Sequence, residues 1–127
     1  MVSTLGTNLE IKVITITVTN LEQSRQFYEG LLDFEIKAFY EPTRWISYRC
    51  RGGAFFAILE AVQSQPPQPD DEIDFYVEDI EMLWQKVKGC ANVVEGLHAT
   101  LWGGWQFVLA DPDGYRLGFV KERPIKK

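Results

Sequence analysis

The sequence predicts a single α+β domain over residues 1–127, built from two similar βαβββ halves. Three observations carry this. Residues alternate with period two at the start of each half. A capping residue and an apolar stripe at helical spacing follow each alternation. A proline-rich stretch divides the chain near its middle.

In the first half, about 9–60, Ile14, Ile16 and Val18 alternate with Val13, Thr15, Thr17 and Thr19. That pattern, rich in β-branched residues, predicts a strand with one apolar face. Asn20 suits a helix N-cap, and Gln23 three residues later resembles the partner in a capping box. Leu21, Phe27, Tyr28, Leu31 and Leu32 recur at helical spacing and predict an amphipathic helix over 21–32. Three strands are expected at 35–40, 45–50 and 54–60, the last two joined by a tight hairpin at Gly52-Gly53.

Residues 61–71 (AVQSQPPQPDD) hold three prolines and no apolar period, the composition of a stiff linker. The second half, about 72–122, repeats the first. Ile73, Phe75 and Val77 alternate with Glu72, Asp74, Tyr76 and Glu78. Asp79 takes the cap position, and Ile80, Leu83, Trp84 and Val87 form the helical stripe. A weaker strand at 92–95 and strands at 105–110 and 115–121 complete the half, with Asp111-Pro112-Asp113-Gly114 as the turn between the last two. Superposing 14–21 on 73–80 matches apolar positions 14/73, 16/75, 18/77 and 21/80 and brings the caps Asn20 and Asp79 together. Two half-buried sheets with helices on one face leave their opposite faces free to curl around a cleft.

Composition narrows the function classes. The chain has 46% hydrophobic and 24% charged residues, an ordinary globular balance. A net charge of −5 with dispersed lysines and arginines argues against nucleic-acid binding, which needs a basic patch. No apolar run approaches the roughly 20 residues that span a bilayer, and the first residues lack a signal-peptide pattern. Cys50 and Cys90 have no metal-ligand spacing; one disulfide or two reduced thiols are compatible, and reduced thiols in a cytoplasmic protein are the expectation.

The order Val18-Thr19-Asn20-Leu21-Glu22, then Phe27-Tyr28, then Leu32-Asp33-Phe34, closing on Asp111-Pro112-Asp113-Gly114-Tyr115, resembles the vicinal oxygen chelate superfamily, the glyoxalase/bleomycin-resistance/dioxygenase group. The likeness covers residues 9–122. Asp33 departs from the glycine usual there. The resemblance implies paired βαβββ modules forming an open, barrel-like mixed sheet, with helices on the outer face and a ligand cleft within. The modules would pair within one chain or across a homodimer. Such proteins include lyases, epimerases, ring-cleaving dioxygenases, thiol transferases and drug-sequestering proteins, so the fold alone does not choose an activity.

By the same resemblance, metal ligands would fall on Val13, Glu60, Glu72 and Gly118. Valine and glycine offer no side-chain donor, and two carboxylates alone make a weak, unselective site. The lone histidine, His98, does not replace two ligands. No metal cofactor is therefore expected. Glu60 and Glu72 remain candidate catalytic residues, as a general base or as anchors for a cationic ligand. They are equally readable as solvated residues flanking the linker.

Alternation places Thr15 and Thr17 on the cleft side with Val13, and Asp74 and Tyr76 with Glu72. An inward Glu60 brings Phe56 and Ile58 with it, and Arg116 aligns with Gly118. Trp102 and Trp105 flank Gly103-Gly104, an arrangement suited to stacking on a planar or cationic ligand and equally to core or dimer contact. The expected ligand-binding set is thus Thr15, Phe56, Ile58, Glu60, Glu72, Asp74, Tyr76, Trp102, Trp105 and Arg116.

The expected function is metal-independent binding of a planar or aromatic small molecule by a cytoplasmic homodimer. An enzyme using Glu60 or Glu72 as base or metal ligand is the alternative. A partner-binding or regulatory module that has lost its pocket is a third reading.

Overall fold

The computed structural model describes residues 9–61 and 71–122. Two four-stranded mixed sheets carry the architecture, each with one helix, giving an α+β fold whose sheets are not closed into a barrel. The first sheet orders its strands β1 (Val13–Val18), β4 (Phe55–Glu60), β3 (Trp45–Arg49) and β2 (Ile36–Tyr40). The second repeats that order with β5 (Glu72–Tyr76), β8 (Arg116–Lys121), β7 (Trp105–Ala110) and β6 (Asn92–Ala99). In each, the first and last strands pair in parallel and the others antiparallel. All but the end residues of the proline-rich 61–71 stretch lie outside the described residues.

Both predicted caps form. The Asn20 side chain accepts from the Gln23 N–H at 2.9 Å, and that of Asp79 from the Met82 N–H at 3.1 Å. They open helices α1 (Leu21–Arg25) and α2 (Ile80–Val87). The single helix expected over 21–32 differs in kind. After α1 it continues as a π-helix over Gln26–Leu31, and the Leu32 N–H donates to the Phe27 carbonyl five residues back. Asp33 then takes φ 59°, the left-handed conformation that a glycine adopts without cost, and pairs with Lys86 on α2 at 2.6 Å. The hairpin glycines Gly52 and Gly53 also have positive φ, and Gly114 closes the Asp111 turn in the same way. Strand β6 runs four residues beyond its predicted end, because register shifts between Val93 and Glu95 and between Glu95 and His98 break the alternation that marks a strand.

The core lies between the sheets and their helices. A relay of rings crosses it from the π-helix toward α2: Tyr28–Phe56 at 5.1 Å, Phe56–Phe75 at 5.5 Å, Phe75–Phe119 at 5.7 Å, Phe119–Phe107 at 5.0 Å and Phe107–Trp84 at 5.1 Å. Phe75 therefore joins the two halves into one hydrophobic core. Polar contacts tie the halves as well. The Tyr28 hydroxyl donates to Asp111 at 2.7 Å, and the Thr19 hydroxyl to Asp113 at 2.7 Å. Cys50 and Cys90 are both free thiols. Among the described residues no helix is long and apolar enough to cross a membrane.

Candidate functional site

The sheet faces turned away from the helices differ between the halves. On the first sheet that face carries Thr15, which accepts from Trp45 Nε1 at 3.5 Å, and Thr17, whose hydroxyl lies 3.4 Å from that of Tyr115. On the second sheet it carries charge. The β5–β8 register sets Glu72 opposite Arg116, Asp74 opposite Gly118 and Tyr76 opposite Val120. Gly118 has a specific spatial role: a Cβ there would collide with the Asp74 carboxylate and crowd that of Glu72. The missing side chain is the space into which these acids fold.

Further residues join them from β6 and β7. Arg116 Nη2 lies 2.9 Å from Glu95 Oε2 and 3.4 Å from Glu72 Oε1. Gln106 Nε2 donates to Glu72 Oε2 at 3.2 Å, and His98 Nε2 stands 3.9 Å from Glu95 Oε1. Asp74 beside it raises the pKa of Glu72 above the ordinary carboxylate value, and partial burial adds to the shift against the opposing pull of Arg116. A carboxylate held in this way is more basic than a free one.

A shallow cavity of about 220 Å³ adjoins this array, lined by His98, Ala99, Thr100, Leu101, Trp102 and Gln106. His98 and Gln106 belong to both. The loop that carries Trp102 is braced by two bonds between Thr100 and Gly104: the Thr100 N–H donates to the Gly104 carbonyl at 2.9 Å and the Gly104 N–H to the Thr100 hydroxyl at 2.8 Å. The Trp102 ring lies over Gly104, where any side chain would strike it. The indole nonetheless stays more than half exposed.

Several sequence expectations about placement are corrected. Phe56 and Ile58 are buried in the core. The parallel register sets Ile58 opposite Ile16 and Glu60 opposite Val18, so all three β4 residues follow the helix-facing side of β1. Glu60 accordingly faces α1, accepting from the Leu21 N–H at 2.8 Å and from Arg44 Nε at 3.0 Å. These partners, the guanidinium first, hold its pKa below the ordinary value, which makes it a poorer base. Glu60 and Glu72 do not face one another. The tryptophan pair also divides. Trp105 shares a side of β7 with the core residues Phe107 and Leu109 and borders a separate cavity of about 240 Å³ with Asp79, Ile80 and Lys121. Of the expected set, the structure brings together Glu72, Asp74 and Arg116, with Trp102 close by through Gln106. Tyr76 lies on the same strand face, Thr15 on the other sheet.

The residues do not fit the metal that the fold implies. Val13 offers no donor, Glu60 is committed to α1 and Arg44, and the Gly118 position is filled by the Asp74 carboxylate. Among the described residues, no three His, Cys, Asp or Glu side chains converge as a metal site.

The family model for the Glyoxalase/Bleomycin resistance protein/Dioxygenase superfamily matches residues 10–119. The chain belongs to this superfamily. Solved structures agree on the fold. A glyoxalase-related enzyme from Fulvimarina pelagi is 22% identical, with a TM-score of 0.72 and 92% of each chain covered. A glyoxalase/bleomycin resistance protein/dioxygenase from Alicyclobacillus acidocaldarius is 16% identical, with a TM-score of 0.69, covering 91% of this chain and 92% of its own. An integron cassette protein from the Halifax Harbour sewage-outfall metagenome is 25% identical, with a TM-score of 0.69, covering 88% and 97%. No curated protein sequence matches the chain.

Sequence reasoning missed Glu95 and Gln106 and left His98 without a place. Gln106 was legible in principle, since β7 alternation sets it opposite Trp105, Phe107 and Leu109. Glu95 and His98 were not, because the two bulges in β6 shift the faces on which its residues emerge.

Proposed function

We propose that this superfamily member binds and sequesters a planar or aromatic small molecule, without a metal, on the open face of its second sheet. The observation that carries the proposal is the continuity of the Glu72–Asp74–Arg116 array with the cavity bordered by Trp102, through the shared His98 and Gln106. A flat ring meets the indole, and a basic group meets the carboxylates. The cavity is shallow, so a second copy of the chain is the expected partner that deepens it; a cytoplasmic location belongs to the same reading. Melting temperature measured against a panel of planar aromatic cations in EDTA tests it. A saturable rise for at least one compound supports the proposal, and a flat response across the panel refutes it.

One observation favours a second reading, an enzyme of lyase, isomerase or dioxygenase type. Glu72 is partly buried and raised in pKa, as a general base requires. Turnover of a panel compound by the wild type and its loss in Glu72→Gln would select this reading over sequestration.

A further inference from the structure

We propose that the outer edge of β2 pairs with the same edge of a second copy of this chain, in antiparallel register about Phe39. Strand β2 ends the first sheet, and every one of its residues is exposed, Ile36, Phe39 and Tyr40 among them. A strand so placed turns unpaired N–H and C=O groups to solvent, a ready template for another strand. The other sheet edges are less open. β1 is partly covered by the second half, through Thr17 with Tyr115 and Thr19 with Asp113. β5 carries the acids Glu72 and Asp74. β6 is broken by two register shifts, which turn an edge away from pairing. The one shift in β2 falls at Lys37 and leaves Ala38–Tyr40 regular.

A two-fold axis at Phe39 sets that ring opposite its own copy, Tyr40 opposite the partner's Ala38, and Lys37 opposite the partner's Glu41. Phe39 lies on the helix-facing side, across from buried Ile46 and under the Arg25 guanidinium at 5.4 Å. Two such rings meet as a cross-strand aromatic pair and extend the core between copies. Tyr40, across from Trp45 on the open side, meets a residue small enough to take it. A lysine on an edge ordinarily blunts pairing. Here Glu41, the first residue after β2, answers it, and symmetry makes the contact twice. Neighbouring registers fail. An axis at Ala38 sets Glu35 against Glu41, and one at Lys37 sets lysine against lysine. An axis at Tyr40 brings Pro42, which has no N–H to donate, opposite Ala38. Charge and size thus select one register and one occupant, the chain itself. The inference stands on the first sheet and not on the small-molecule reading, so either can fail alone.

Sedimentation equilibrium at up to about 1 mM protein, the range of a weak contact, tests it. The wild type should dimerise. Lys37→Glu and Glu41→Lys should each associate at least about tenfold more weakly, since each sets two like-charge pairs across the axis. An equimolar mixture of the two variants should recover the wild-type association, because each supplies the charges the other lacks. Both positions are exposed, and far-UV circular dichroism checks the fold of each variant before mixing. Lys37→Gln, which removes the attraction without adding repulsion, should weaken association in the same direction if Lys37→Glu does not fold. A wild type that stays monomeric overturns the inference. So do variants that associate as tightly as the wild type, or a mixture that associates no better than its parts.

Discussion

The Tyr28 hydroxyl, on the π-helical turn of the first half, donates at 2.7 Å to the buried Asp111 carboxylate in the last turn of the second. The other Asp111 oxygen accepts from the Asp113 N–H at 2.9 Å and the Tyr115 N–H at 2.8 Å, so one side chain organises a turn and fastens it to a distant helix. Phe27-Tyr28 and Asp111-Pro112-Asp113-Gly114, far apart in sequence, are two sides of one contact. Thr19 bonded to Asp113 lies beside it.

Tyr28→Phe keeps the ring packing and removes the donor, leaving a buried carboxylate oxygen unsatisfied. A loss of about 1–3 kcal/mol is expected in urea unfolding, with unchanged far-UV circular dichroism. An unaltered unfolding midpoint would show that the contact does not hold the halves together.

Burial raises the Asp111 pKa, against the bonds from Tyr28 and the turn amides that favour the carboxylate. Between its ordinary value of 3.8 and the raised folded value, the folded state keeps a proton that the unfolded state has released. This group's contribution is therefore fullest below 3.8 and declines as pH rises through the folded value. Asp111→Asn removes that dependence. Unfolding free energies of the two proteins, measured from about pH 3.5 to about pH 6, should converge or cross as pH rises. Parallel curves would contradict the assignment.

Glu60→Gln should weaken the anchoring of the first helix, because Glu60 accepts from the Leu21 N–H and Arg44 rather than facing a ligand. A stability loss of about 0.5–1 kcal/mol is expected at neutral pH, with ligand-induced shifts in melting temperature unchanged. Its lowered pKa sets the sign: the contribution is present above the ordinary value and lost as pH falls through the folded one. Ligand response lost with stability intact would return Glu60 to the site.

Asp74 is the first cause of the raised Glu72 pKa. In Asp74→Asn the Glu72 carboxyl should titrate lower than in the wild type, as followed by carboxyl-detected NMR. Gly118→Ala should act in the same direction by forcing the Asp74 carboxylate aside. A Glu72 titration unmoved in both variants would mean that the acids do not interact.

The fold was legible because local patterns and the internal repeat agreed: alternation at β1 and β5, caps at Asn20 and Asp79, and turn glycines at 53 and 114. The π-helical turn was not, since apolar spacing over 21–32 does not resolve one extra residue per turn. The candidate site was half legible. Glu72, Asp74 and Arg116 follow from strict alternation on β5 and its neighbour. Strand β4 reads Phe55-Phe56-Ala57-Ile58-Leu59-Glu60, apolar on both faces until its last residue, so hydrophobicity does not say which face meets the helices. Only its register with β1 does so, and that turned Phe56, Ile58 and Glu60 away from the expected cleft.

Metal-independent binding is expected beside Glu72 and Trp102. Tryptophan fluorescence titrated with planar aromatic cations in EDTA, in the wild type, Trp102→Phe and Glu72→Gln, tests it most directly. A saturable change is expected in the wild type, largely lost in Trp102→Phe and needing at least about tenfold more ligand in Glu72→Gln, the scale of one desolvated charge contact. Binding that appears only when a metal is added, or that both variants leave untouched, would contradict it.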